Sequence, residues 1–471
     1  MTGKPLLLLG ALGVFIFQQA AAQSRNDLAV LKGLSPVTIL SNTGAGKAAL
    51  AANFVVTGHI QDGTIRQATL LPFPEQQQQA LRDVFTTDGN LADLADGLGT
   101  TLGAGYLARA HYIDRTHFTK LSKTVMDVIA YTNATTSANS NSCKFFFANA
   151  TTNGAAPVSA EAVAILKDIG GNTDIFGKSY SLPAGTPGAN AYGNSRPFQT
   201  EPGIVRIVGP DYFHVPADNW VYNRGPLMNL TNSPSYPSGH TAYGYSGALL
   251  LAVLVPERYQ QMIARGAEYG NDRILVGAHY AMDVLGGRTL ALYDMAHLLA
   301  NDPAYMDQTL KNAPRIKDFQ GAVKAARADI VAALQATCGE TVEECAREDT
   351  GRFSNTAADE AFYASTQTYD LPVVYPQNAN RVEDVSKLAP EAGYLLTIAF
   401  PSLTLEQADQ ILTETEGPGG GFLDNGSPFG VYSRLNLYAA AGRAATLVSA
   451  HSSTAQPNGF ALQKGSPAAH Q

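Results

Sequence analysis

Residues 235–242 read SYPSGHTA and residues 276–288 read VGAHYAMDVLGGR. In the first stretch Pro237-Ser238-Gly239-His240 stands just ahead of an apolar run at Gly247–Val255, the pattern of a helix start. A helix beginning near His240 would turn its first N–H groups and the positive end of its dipole toward an anion. Gly239 lets the backbone come close to a ligand, and Ser238 adds a hydroxyl. In the second stretch His279 and Asp283 are four apart. On a helix they share one face, so the carboxylate can accept from the imidazole, fix its tautomer and support the cation formed when the other nitrogen attacks. Arg273 precedes His279, and Arg196 stands upstream in an Arg196-Pro197 pair. A guanidinium is a planar fork that matches phosphate oxygens. Each fragment alone has a plain structural reading: a helix start, a surface His–Asp pair, a solvated arginine, Arg273 paired with Asp272 beside it. Taken together they make an oxyanion site with a nucleophile, an acid and an orienting carboxylate, and His279 is expected in an open cleft.

Working outward, helical periodicity dominates. Apolar positions at i, i+3 and i+4 predict helices over 76–98, 117–131 and 158–169, the last with Ser159 as N-cap. Residues 171–235 are rich in Gly, Pro, Asn and Ser and predict a long irregular segment that contains Arg196. Helices resume at His240–Val255, Glu257–Val276 and His279–Leu299, followed by one over 318–336. Further on, Leu371–Tyr375 reads as extended, and short helices are predicted around Val385–Tyr394 and Leu405–Thr415. A breaker at Gly417–Gly421 follows, and the tail from Ser449 is polar and expected to be mobile.

The first 23 residues read as a targeting segment. Lys4 supplies the charge, PLLLLGALGVFIF (5–17) the apolar stretch and Ala20-Ala21-Ala22 the small-residue cleavage site. That stretch is shorter than the ~20 residues of a bilayer span, which favours cleavage and export over an anchor. No later stretch is long enough to span. The chain has 471 residues, 15% of them charged, with 44 Gly, 25 Pro and a net charge of −8, which gives a nucleic-acid partner no electrostatic support. An anionic substrate must therefore be drawn by local arginines. Cys338 and Cys345 are spaced for a short disulfide in an oxidising compartment, leaving Cys143 as a buried thiol.

The pattern Arg-Pro, Pro-Ser-Gly-His and Arg-x5-His-x3-Asp resembles the type 2 phosphatidic acid phosphatase superfamily, which includes bacterial class A acid phosphatases and vanadium haloperoxidases. SYPSGHTA and VGAHYAMDVLGGR look closest to the soluble class A (non-specific) acid phosphatases. The resemblance is close over roughly residues 190–300. It implies a mainly α helical bundle of the acid phosphatase/vanadium haloperoxidase type, with a long irregular segment before the catalytic helices and a small C-terminal extension. The corresponding division is a signal peptide at 1–23, a helical phosphatase core at 24–315 with its motifs within 196–283, an extension at 316–448 and a tail at 449–471. In the resemblance His279 is the nucleophile that becomes a phosphohistidine, and Asp283 orients it. His240 protonates the leaving alkoxide and then activates water. Arg196, Arg273, Ser238 and Gly239 hold the phosphoryl oxygens. Because positioning and charge stabilisation dominate phosphoryl transfer, such a cradle needs no metal.

Two positions depart from the family pattern. Its Lys, seven residues before the Arg of Arg-Pro, is Ala189 here, and Lys178 is the nearest upstream lysine that could loop back. Its Ser before the third-motif Arg is Asp272 here. The resulting expectation is an exported acid phosphatase, secreted or periplasmic, acting on small phosphorylated substrates with no cofactor, no nucleic-acid partner and no membrane span after signal removal. One alternative is a haloperoxidase holding vanadate in the same cradle; another is a phosphate- or lipid-headgroup-binding protein without turnover. Two other motifs are weaker. Gly44-Ala45-Gly46-Lys47 lacks the Gly at 41 and the Ser or Thr at 48 of a phosphate loop. His111, Asp114 and His117 read as one face of a helix rather than as metal ligands.

Overall fold

The computed structural model describes residues 25–64, 70–85, 89–149, 158–176, 194–201, 203–220, 230 and 233–454. The targeting segment, Ala189 and Lys178 lie outside the described residues. The chain begins with α1 (Arg25–Leu34), α2 (Gly44–Asp62), α3 (Phe73–Asp83) and α4 (Thr100–Leu107), with 3-10 turns at Ser35–Asn42 and Ala92–Leu98. Then come the long α5 (Lys123–Asn149) and α6 (Ala160–Ile169). The Arg-Pro pair opens the single-turn α7 (Pro197–Thr200), and a hairpin of β1 (Val208–Pro210) and β2 (Pro216–Asp218) follows, antiparallel with Gly209 opposite Ala217. The motif helices are α8 (Gly239–Leu254), α9 (Tyr259–Leu275) and α10 (Ala281–Leu299). The extension carries α11 (Phe319–Cys338), α12 (Val342–Arg347), α13 (Thr356–Thr368), α14 (Leu405–Glu414) and α15 (Leu437–Thr454), with single helical turns between α13 and α15. The architecture is mainly α.

α8 is apolar on every side, and each of its residues from Thr241 to Leu254 is buried. A helix of that composition belongs at the centre, and α5, α9 and α10 all pack on it. Its length divides between two hydrophobic clusters: Tyr243 belongs to one that runs from α4 and α5 through α9 into the extension, and Ala242 to one built on α1, α2 and α3. α9 carries charges into the interior by pairing them. Arg265, fully buried, donates to Asp83 on α3 at 2.7 and 2.8 Å and to Asp96 at 2.7 Å. Core and extension share packing as well as hydrogen bonds, with Tyr259 Oη donating to the Leu395 carbonyl at 2.8 Å. Cys338 and Cys345 form a disulfide joining α11 to α12, and Cys143 is a buried free thiol. Among the described residues no helix is long and apolar enough to cross a membrane.

Several boundaries differ from the periodicity. The stretch 76–98 is broken after Asp83, and Leu91 takes a left-handed φ of 59° that starts a separate 3-10 turn. The helix expected at 117–131 begins at Lys123 and continues to Asn149. Its middle is polar in sequence yet buried: Thr132, Asn133, Thr135, Thr136, Asn139 and Ser140 all face the interior, before Cys143, Phe146 and Phe147 return to the apolar core. Neighbouring helices, not an apolar stripe, hold that middle stretch in place. His111, Asp114 and His117 are not on a helix; Asp114 Oδ1 accepts from the backbone N–H of Thr116 at 2.8 Å and of His117 at 2.9 Å, closing an exposed turn. Residues 449–454 continue α15 rather than starting a tail, and 455–471 lie outside the described residues.

Candidate active site

The start of α8, the start of α10 and the end of α9 meet at one place. Ser238 caps α8, its Oγ accepting from the Thr241 N–H at 3.1 Å, while its own N–H donates to the Asp283 carbonyl at 3.0 Å. α10 does not include His279 as the periodicity predicts. Tyr280 is its N-cap and Asp283 its third residue, and Asp283 Oδ2 accepts from the Tyr280 N–H at 2.7 Å. The chain between α9 and α10 turns sharply at Gly277, whose φ of 73° suits a residue without Cβ. The Arg273 carbonyl accepts from the N–H groups of Ala278 and His279, so the end of α9 sets where His279 stands.

His279 is fully buried, not in an open cleft. Its Nε2 lies 3.0 Å from Arg196 Nη1 and 3.2 Å from His240 Nδ1. A guanidinium can only donate, so Nε2 is the acceptor and the ring proton sits on Nδ1. Nδ1 faces Asp283 Oδ2 at 3.4 Å and Ser235 Oγ at 3.3 Å. Ser235 also hydrogen-bonds Asp283 Oδ2 directly. The unprotonated lone pair therefore points at Arg196 and His240, and the proton points at the carboxylate. Electrostatics agree with a neutral ring. Burial first, then Arg196, His240, Arg273 and Lys144, holds His279 well below the ordinary histidine range. Burial, then Arg273, Arg196 and Lys144, does the same to His240. Burial pushes Asp283 up to about 7 against the opposing pull of Ser235, the Tyr280 N–H and Arg196.

Arg196 is buried and heavily engaged. It donates to the carbonyls of Ser233 at 2.6 Å, Ala278 at 3.0 Å and Pro234 at 3.1 Å, and to Ser233 Oγ at 3.2 Å. An oxyanion that reaches His279 must take over the Nη1 contact. Arg273, also buried, stacks over Tyr269 with its guanidinium carbon 4.6 Å from the ring centre. Asn194 fixes the Arg-Pro segment beside the Pro-Ser-Gly-His turn: its Oδ1 accepts from the Tyr236 N–H at 2.8 Å, and its Nδ2 donates to the Tyr236 carbonyl at 2.8 Å.

In front of this cluster is a cavity of about 360 Å³ lined by Arg196, His240, Gly239, Ser233 and Tyr243 and by one face of α5. That face is Ser137, Ser140, Asn141 and Lys144, the i, i+3, i+4, i+7 spacing of a helix stripe. None of the four is a candidate on sequence, because the periodicity ends that helix at 131. The signal that would find them is this polar stripe, read as a helix facing inward. Burial, with Arg196 second, brings Lys144 down to about 7. Among the described residues it is the lysine that faces the cavity. Ser140 stands so close to α8 that a Cβ at Gly239 would lie 2.9 Å from its Oγ. Asp272 is buried beside Asp83, and burial first and Asp83 next hold its carboxyl far above the usual carboxylate range. It belongs to the Arg265 network rather than to an ion pair with Arg273.

Residues 189–300 match the sequence model of the PAP2 superfamily. Over 89 residues the chain is 40% identical to the non-specific acid phosphatase of Salmonella typhimurium, covering 19% of this chain and 35% of that protein. It is 45% identical over 84 residues to the acid phosphatase of Zymomonas mobilis, covering 18% and 32%. It is 33% identical over 87 residues to a lipid A 1-phosphatase of Rhizobium johnstonii, covering 18% and 34%. The matched stretch spans about a third of the length of these curated relatives. Residues 189–300, where the Arg-Pro, Pro-Ser-Gly-His and His-Asp segments converge on one buried imidazole, are thus the part of this chain that is similar to the PAP2 superfamily.

Proposed function

We propose that this chain is an exported phosphatase that hydrolyses small phosphomonoesters through a phosphohistidine on His279, with no metal in the step. The observation that carries this reading is the convergence of Arg196 Nη1 and His240 Nδ1 on the unprotonated Nε2 of His279, beside a cavity faced by Lys144. A phosphoryl group entering the cavity meets cations from Arg196 and Lys144, with Arg273 near enough to shift both histidines. Nε2 attacks phosphorus, the bond to the leaving oxygen breaks, and His240 delivers a proton to that oxygen. Neutral in the free protein, His240 gains its proton with the substrate, because a phosphomonoester has a second pKa of about 6 and can arrive singly protonated. The imidazolium formed on His279 faces Asp283. In the second step His240 takes a proton from water, the water oxygen bonds phosphorus, and the N–P bond breaks to release phosphate.

The test compares an aryl phosphate with an alkyl phosphate as substrate, and adds vanadate, peroxide and halide in a parallel arm. Phosphate release from both esters is expected, with acid-labile phosphate label trapped on wild type and absent from His279→Asn. His240→Ala is expected to lose far more activity on the alkyl ester, whose leaving group needs the proton, than on the aryl ester. Halide oxidation without ester hydrolysis would transfer the site to the vanadate reading, and phosphate binding without either turnover to the binding-protein reading.

A further inference from the structure

A second cavity, of about 440 Å³, lies between α10 and the extension and shares no lining residue with the first. One wall is Leu285 and Arg288 of α10; the others come from the end of α13 and the loops that follow, with Gln367, Leu371, Val373 and Phe422. Its size is that of a small-molecule site, and its lining is apolar around a few polar groups. Arg288 is the unusual member. It is 1% exposed and stacks on the Tyr363 ring at 4.7 Å. Nη2 donates to Tyr363 Oη at 2.8 Å and to the Leu435 carbonyl at 3.0 Å. Nε and Nη1 meet no acceptor among the described residues, and no carboxylate there forms an ion pair with it. Gln367, also buried, has an Nε2 without an acceptor among the described residues. A buried cation with unpaired donors beside a cavity is costly unless an anion or water meets it.

We propose that this cavity binds a small amphipathic carboxylate, with its acid group on Arg288 and Gln367 and its apolar body against Leu371, Val373 and Phe422. A single negative charge fits best, because Arg288 is the lone cation among the described lining residues and Asp370 stands at the rim, where it opposes a dianion.

Sodium octanoate, octanol and octylammonium are the probes, titrated against the full chain by calorimetry. Octanoate is expected to bind at one site, with octanol and octylammonium weaker by at least about tenfold, the worth of a charge-assisted hydrogen bond. Arg288→Met is expected to weaken octanoate by a similar factor, but it also removes the bonds to Tyr363 and Leu435 and can loosen the fold. Val373→Trp therefore carries the decision. Val373 is 43% exposed, so an indole there plugs the cavity without disturbing the core, and octanoate binding is expected to vanish while the melting temperature holds. Equal affinity for all three probes, octanoate binding unchanged in Val373→Trp, or no octanoate binding at millimolar concentration would each overturn the proposal; the last would leave water as the partner of Arg288.

Discussion

Ser235 and Lys144 are two of the residues that the structure adds to the site, and each has a separate signature. Ser235 touches both Asp283 Oδ2 and His279 Nδ1, so it is a positioning residue acting through the imidazole. Ser235→Ala removes a hydrogen bond to a buried carboxylate and is expected to lower kcat about tenfold with KM little changed; Ser235→Thr, which keeps the hydroxyl, should restore it. A rise in KM with kcat intact would contradict positioning. Lys144, facing the cavity, is placed to act on the ligand itself. Its pKa, brought down to about 7 by burial, means the side chain is charged below that pH and neutral above it. Sulfate, a dianion throughout this range, reports that charge when used as a competitive inhibitor. Lys144→Met is expected to weaken sulfate roughly tenfold to a hundredfold at pH 5, where one charge-assisted contact is lost, and to change little at pH 8.5. Lys178→Ala should leave sulfate inhibition unchanged; a loss there with none at Lys144 would return the cation role to Lys178. Because His279 is buried, not cleft-exposed, His279→Ala would leave a void as well as remove the proposed nucleophile, and His279→Asn is the better probe of chemistry.

At the scale of elements, the contact that matters is α5 against the start of α8. Gly239 is tolerated there as the residue without Cβ, since Ser140 Oγ would stand 2.9 Å from a methyl group. Gly239→Ala is expected to push the two helices apart or turn the Ser140 side chain, lowering both the melting temperature and the affinity for phosphate. Truncating the opposing hydroxyl should relieve it: the double variant Gly239→Ala/Ser140→Ala is expected to recover most of both losses, which a double-mutant cycle measures. Additive losses would mean that Gly239 matters through its own backbone and not through α5.

Over the whole molecule, buried carboxyl groups set the response to pH. Burial raises Asp93, Asp283, Asp359, Asp409 and Glu416 to about 7 and Asp294 to about 8. Each binds its proton more tightly folded than unfolded. Its contribution to stability is fully present below the unfolded carboxyl pKa, near 4, and is lost as pH rises through 7 to 8. His240 and His279, held low by burial, oppose this as pH falls below about 6.5, and Lys144, brought down to about 7, opposes it above pH 7, but they are three against six. The melting temperature is therefore expected to rise as pH falls from 8.5 toward 5; thermal unfolding across that range checks it, and a flat or opposite trend would refute it.

The sequence by itself determined the helical class, the place of the three motif segments and the residue types that meet at the site. Those follow from periodicity, from the spacing of His279 and Asp283, and from the turn chemistry of Pro237-Ser238-Gly239, all of which are local. What only the tertiary structure decided is who supports them. The N–H groups at the start of α10 are satisfied by α2, with Ala281 donating to Thr57 Oγ1 at 3.1 Å and Met282 to Asn53 Oδ1 at 2.9 Å. No local pattern announces a cap more than two hundred residues away. The middle of α5 was illegible for a related reason. From Thr132 to Ser140 its inward face is Thr, Asn and Ser, so the apolar stripe that marks a buried helix face lapses there until Cys143, Phe146 and Phe147 resume it, and the other helices supply the burial. Lys144 reaches the cavity only because α5 runs on through the stretch where its hydrophobic period lapses.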